Sequence, residues 1–197
     1  MSKAQATRLR AALLDPLEAS QMEVAGSASA AVLAPLFERD GELYAVFTKC
    51  RSHLRLHAGQ ISFPGGRPEP GDEDLAHTAL REAHEEIGLD PASVVLVGAL
   101  APTPTVVSDI AIYPVVGLIP APAAPWRLAE EEVEAVIEAS LRELAATHRL
   151  ELIERRDGTR VTTDAYSAGA DTIWGATARI LTDLLVRLAG VLASDWD

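Results

Sequence analysis

The sequence predicts an α+β domain built on a mixed β-sheet. Three observations lead there. Apolar runs bracket Asp40-Gly41 and again Asp157-Gly158, two hairpin signals. Residues 74–87 and 172–192 carry the 3.6-residue period of amphipathic helices and stand among strand-like segments. The 197 residues, 48% hydrophobic, suit one domain and exclude a disordered chain. Because helices and hairpins interleave, the sheet is expected to be mixed.

Each element follows in order. Residues 4–15 hold helix formers with Leu9, Leu13 and Leu14 as apolar positions, a helix within an N-terminal extension over 1–25. Residues 31–38 and 42–48 are the strands around Asp40-Gly41. Residues 49–74 show no period and gather Pro64, Gly65, Gly66, Pro68, Pro70 and Gly71. This reads as a long structured loop of the kind that carries function. In the helix over 74–87, Leu75, Ala76, Ala79, Leu80, Ala83 and Ile87 share one arc, and Gly88 with Pro91 marks its end. Residues 94–100 and 110–118 read as strands, 120–125 as a Pro-rich surface loop, and 132–138 as a strand rather than a helix. Ser140 and Glu143 suggest a capping box, hence a short helix over 141–147. A hairpin over 149–166 and the helix over 172–192 close the chain. Arg179, Asp183 and Arg187 interrupt that last helix, so it is expected to pack on the domain and not to span a membrane.

Charge narrows the function. Acids outnumber bases 29 to 17, giving a net charge of -12. The chain as a whole repels polyanions and lacks the basic footprint of a nucleic-acid binder. An anionic substrate therefore needs a local basic strip or a metal ion. The single cysteine, Cys50, forbids an internal disulfide and fits a reducing cytoplasm. The first sixteen residues lack the apolar core of a signal peptide.

The chemistry concentrates in one stretch. Residues 48–67 hold no acid but carry Lys49, Arg51, Arg55 and Arg67 with His53 and His57. Residues 68–86 hold seven acids and one base, Arg81. Glu82, Glu85 and Glu86, at i, i+3 and i+4, gather on the shoulder of the apolar helix face. Like charges so spaced cost about 0.2–0.5 kcal/mol when solvated, and more when partly buried. A solvated acidic face is the plain alternative. A hard divalent cation would offset the repulsion, and the neighbouring basic strip would meet phosphate oxygens. Pro64-Gly65-Gly66 lets backbone approach a ligand closely or adopt positive φ.

This segment resembles the Nudix box, whose second half is matched by Arg81-Glu82-Ala83-His84-Glu85-Glu86-Ile87-Gly88-Leu89. The preceding residues 54–66, LRLHAGQISFPGG, are similar to the extra signature of the coenzyme A pyrophosphatase branch, and segments 113–120, 130–141 and 173–181 extend the likeness over about 30–190. Counted back from Arg81, the first Glu of the generic box falls at Glu73. Gly66 then lies one residue too far upstream, and Asp72 fills the slot as in that branch. Ala83 is smaller than the usual aliphatic, and Cys50 stands where the branch usually has Arg, with Arg51 beside it.

The resemblance implies a single Nudix domain, a mixed sheet between helices with a loop-helix-loop catalytic box. It implies Mg²⁺- or Mn²⁺-dependent hydrolysis of a nucleoside diphosphate linked to a second group. For coenzyme A the products are 4′-phosphopantetheine and 3′,5′-ADP. Glu82, Glu85 and Glu86 become metal ligands. Glu85, Glu86 and Glu132 become catalytic carboxylates, with Glu85 or Glu132 left open as proton acceptor. Arg51, Arg55, His57, Gly65, Gly66 and Arg67 become substrate contacts, and Arg81 and Asp72 structural partners. ADP-ribose or NADH stays open as another substrate, and so does a catalytically silent nucleotide sensor. No nucleic-acid or membrane partner is expected. A homodimer stays open.

Overall fold

The computed structural model describes residues 3–51, 59–105, 109–154 and 158–192. Arg55 and His57, expected substrate contacts, lie outside the described residues.

The two long central strands, β1 (Ala28–Arg39) and β2 (Glu42–Cys50), pair antiparallel across Asp40-Gly41, both with positive φ at 53° and 81°. This is the expected hairpin, and left-handed backbone at both turn positions is what Asp-Gly supplies. Inside the expected loop 49–74 the chain adds two short ladders, β3 (Ile61–Ser62) on β2 and β4 (Gly65–Gly66) on β1. Helix α3 (Leu75–Ile87) is capped by Asp74, whose side chain accepts from the His77 amide, and ends at Gly88 in the left-handed conformation, φ 70°. After a short 3₁₀ turn, Pro91–Ser93, come β5 (Val95–Ala99), β6 (Thr103–Pro104) and β7 (Ile110–Leu118). β7 pairs with β1 in parallel over nine residues. β8 (Val133–Ser140), the segment read as a strand, pairs antiparallel with β2. The sheet is thus mixed, in the order β3-β2-β1-β7-β5 with β4, β6 and β8 attached.

Alternation along β1 builds a core on both faces. Ala31, Leu33 and Phe37 pack with Ala79, Ala83 and Ile87 of α3. Val32, Ala34 and Leu36 turn the other way, toward Leu9 of α1 (Lys3–Ala12) and Ala178, Leu181, Leu184 and Leu188 of α5 (Gly175–Leu192). The sheet therefore lies between helices. Among the described residues no helix is long and apolar enough to cross a membrane.

Two boundaries and one cap differ from expectation. The N-terminal helix stops at Ala12, because Asp15 caps a separate α2 (Pro16–Ser20), accepting from the Leu17 and Glu18 amides. The helix expected from residue 172 begins at Gly175. Residues Asp171–Trp174 instead form β11, which pairs with β10 (Arg160–Ala168) across Gly169, φ 63°. β10 also pairs with β9 (Arg149–Glu154), giving a second sheet, β11-β10-β9. The short helix α4 (Leu141–Ala146) has half of the expected capping box. Ser140 Oγ accepts from the Glu143 amide at 3.4 Å and donates to Glu42 at 3.0 Å.

Candidate active site

Helix α3 presents its acids at the boundary between its buried face and solvent, so the three carboxylates meet three environments. Glu86 goes inward. Its Oε2 is buried without a hydrogen-bond partner among the described residues. Burial first, then the negative charges of Glu82 and Glu132, raise its pKa to about 8, against the opposing pull of the Gly65 amide and the Thr48 hydroxyl. Glu82 is half-buried. Burial raises its pKa too; Arg81 opposes this, and Glu85 and Glu132 add to it. Glu85 is turned outward, its side chain 56% exposed, and accepts from Arg81 Nη1 at 3.0 Å.

Arg81 organises the group. Its Nε donates to Asp72 Oδ1 at 3.1 Å, its Nη2 to the Arg67 carbonyl at 3.0 Å, and the same Nη2 lies 3.0 Å from Glu82 Oε1. The Asp72 side chain is only 4% exposed. It also accepts from the Glu69 amide at 2.9 Å and the Thr78 hydroxyl at 2.9 Å. Those bonds, Arg81 first, hold its carboxyl far below the usual range, and Asp72 in turn drives the Arg81 pKa up. Asp72 thus pins the loop to the helix, and Arg81 pins the loop, Glu82 and Glu85 together.

The glycines act through close approach. Neither Gly65 nor Gly66 has positive φ, the other role the sequence left open. A Cβ on Gly66 would fall 2.5 Å from Glu82 Cδ, so only glycine leaves room for that carboxylate against the β4 backbone. A Cβ on Gly65 would fall 2.6 Å from Val32 Cα, so that glycine is needed for strand packing.

The far wall comes from β2 and β8. A register shift between Lys49 and Cys50 precedes the pairing of Cys50 with Val133, and the Arg51 amide donates to the Glu132 carbonyl at 3.0 Å. Glu132 is exposed at this junction, yet its charge reaches Glu82, Glu86 and Cys50, which places it opposite α3. Arg51 Nε is buried and lacks a hydrogen-bond partner among the described residues. The Arg67 side chain is exposed. Cys50 is half-buried, and burial, then Glu86 and Glu132, push its thiol up, so it is no ready nucleophile. Sequence reasoning took Ser62 as a structural partner of the loop but missed Thr48. The Thr48 side chain, buried, bonds Ser62 at 3.3 Å and reaches Glu86. A lone hydroxyl alternating inward along an apolar strand was the available signal.

Among the described residues no three His, Cys, Asp or Glu side chains already converge tightly enough to hold a metal ion. The donor set nonetheless suits a hard divalent cation, which takes carboxylate oxygens. Glu86 supplies a buried oxygen without a hydrogen-bond partner among the described residues, and the negative charges of Glu82 and Glu132 act on it.

The comparisons with known proteins agree with this geometry. Residues 28–157 match the NUDIX domain model. The uncharacterized Nudix hydrolase NudL of Salmonella paratyphi B is 38% identical over 169 residues, covering 84% of this chain and 85% of that protein. A structure of the C. elegans Ap4A hydrolase in a binary complex superposes with a TM-score of 0.53 at 15% identity, over 85% of this chain and 98% of that one. A MutT/nudix family protein from Enterococcus faecalis gives 0.53 at 16% identity, over 96% and 75%. At such identities the structural likeness is one of fold, whereas the domain match and the NudL relationship span most of the sequence. The chain belongs to the Nudix hydrolase family.

Proposed function

We propose that this Nudix pyrophosphohydrolase cleaves the pyrophosphate bond of coenzyme A or its derivatives, releasing 4′-phosphopantetheine and 3′,5′-ADP. The observation that supports hydrolysis is the buried Glu86 oxygen, without a hydrogen-bond partner among the described residues and subject to the charges of Glu82 and Glu132. What supports coenzyme A over another nucleoside diphosphate is the 54–66 signature.

Nudix hydrolases generally use divalent metal ions, and Mg²⁺ or Mn²⁺ would be held here by Glu82 and Glu86, with Glu85 or Glu132 completing the set. Such an ion supplies charge neutralisation on the diphosphate and activation of water. The protein's own part is distinct. Burial and mutual repulsion keep Glu86 protonated near neutral pH, and a bound cation would offset the charge that this environment disfavours. Arg81 fixes Glu82 and Glu85 relative to the loop. Arg51, with Arg67, Arg55 and His57, meets substrate charge, and the bare β4 backbone at Gly65-Gly66 lets the diphosphate approach. Glu132, exposed and facing the acidic cluster, takes the proton from the attacking water, the other candidate being Glu85. A reducing cytoplasm fits the single unpaired Cys50.

The test is product analysis after incubation with coenzyme A and Mg²⁺ in ¹⁸O-labelled water, beside acyl-coenzyme A, NADH and ADP-ribose. The reading expects 4′-phosphopantetheine and 3′,5′-ADP, with label on one product and loss of turnover in EDTA. Faster cleavage of ADP-ribose or NADH would reassign the substrate. Tight coenzyme A binding in excess EDTA would contradict the metal's role, because a chain at -12 has little other means of holding that polyanion.

A further inference from the structure

Among the described residues β9 pairs with β10 on one side and with nothing on the other. Its register with β10 runs from Arg149 to Glu154 without a bulge. The strand RLELIE carries charge at Arg149, Glu151 and Glu154 but contains no proline or lysine. An edge free of proline and bulges keeps its backbone groups open to pairing with another strand. Leu150 and Leu152, at i and i+2, share one face and are 70% and 61% exposed. That is the face on which Tyr166 of β10 turns inward, its hydroxyl bonded to Thr182 of α5, so the leucines prolong a core face beyond its helices.

We propose that β9 pairs antiparallel with β9 of a second copy of this chain, joining the two small sheets into one six-stranded sheet across a two-fold axis. The strand's own pattern selects a second copy over an unrelated strand. A two-fold axis through Glu151, perpendicular to the sheet, sets Leu150 opposite Leu152 of the other copy and Leu152 opposite its Leu150. All four leucines then share one face. On the other face the two Glu151 side chains meet. Each has Arg149 of the opposite copy on its diagonal, and Arg149 already pairs with Glu151 along its own strand at 2.7 Å. The charges around the axis therefore cancel, two Arg against two Glu, in a molecule whose net charge otherwise keeps copies apart. The opposite edge of the small sheet, β11, is tied to the main sheet by Lys49 Nζ and Asp171 Oδ1 at 3.0 Å. The paired edge is thus the one away from the Glu82–Glu86 site, and the two sites act independently. Six residues a side is small beside the roughly 20–30 of a standard interface, so the dimer should dissociate on dilution.

The test is the mass of the full chain by analytical ultracentrifugation from low micromolar to submillimolar concentration. Wild type should approach twice 20.9 kDa as concentration rises. The double variant Leu150→Lys, Leu152→Lys sets lysines opposite lysines and should stay monomeric, with unchanged circular dichroism and unchanged turnover. As a check that does not depend on that variant folding, Glu151→Cys places a thiol opposite its own copy, within disulfide reach at roughly 4.5–5.5 Å between Cα atoms. It should cross-link under mild oxidation, whereas wild type, with Cys50 alone, and Glu154→Cys should not. A wild-type monomer throughout the range overturns the proposal. So does a dimer indifferent to the lysines, or Glu154→Cys cross-linking as readily as Glu151→Cys.

Discussion

Glu86→Gln reads the metal-free site directly, through stability. In the folded chain Glu86 holds its proton to about pH 8; in the unfolded chain it titrates near 4.5. Below that lower value both states are protonated and the residue contributes no pH dependence. Between the two values the unfolded state loses its proton and the folded state does not. The site therefore costs stability as pH rises, levelling off above about 8. At about 1.4 kcal/mol per pH unit, the cost is capped at about 5 kcal/mol. Glutamine keeps the shape and removes the titration. The assay is urea unfolding in EDTA across pH 4–9 for both proteins. The variant should match wild type within a constant offset at the acid end and gain on it steadily with pH, to an advantage of a few kcal/mol at pH 9. Mg²⁺ should raise the wild-type midpoint at pH 8 far more than the variant's, since a ligand stabilises the state that binds it. Turnover in the variant should fall by orders of magnitude. Parallel stability curves for the two proteins would refute the reasoning.

Three further outcomes follow. Gly66→Ala should leave the fold intact but cut kcat about 100-fold by displacing Glu82; unchanged kinetics would show that the close approach is dispensable. Arg81→Lys keeps the charge but cannot reach Asp72, Glu82, Glu85 and the Arg67 carbonyl together, so thermal stability and kcat should both drop, and a silent replacement would remove Arg81 from the account. Glu132→Gln should lower kcat by about 10²–10⁴ and shift the Glu86 stability midpoint to lower pH by removing a repelling charge. A larger loss in Glu85→Gln would move the proton-acceptor role to α3.

Much of the site was legible because one helix carries it. The spacing of Glu82, Glu85 and Glu86 against Ala79, Ala83 and Ile87 places the acids at the core's shoulder, and Asp74 and Gly88 fix where that helix starts and stops. Their division of labour was not legible. Which carboxylate goes inward depends on how far β4 lets α3 approach, and that rests on Gly66, a contact made across the loop. Glu132 stood in an acidic run whose partner surface only the β2–β8 register supplies. Among the strands, the β1–β2 hairpin was readable from the local turn chemistry of Asp40-Gly41, whereas Asp157 of the second Asp-Gly signal lies outside the described residues. β3, β4, β6 and β11 are two to four residues long, too short for any periodicity, and exist because long neighbours offer them an edge. The boundary at Gly175 was hidden because Ile173, buried in β11, also fits the apolar phase of α5.

The most direct measurement is a crystal structure grown with Mn²⁺, with anomalous diffraction data recorded at the manganese edge. The account predicts a single strong peak within bonding distance of Glu82 and Glu86 carboxylate oxygens, on the side facing Glu132 and the bare backbone at Gly66. Both carboxylates free of manganese, with the ion scattered over surface acids or absent, would contradict it.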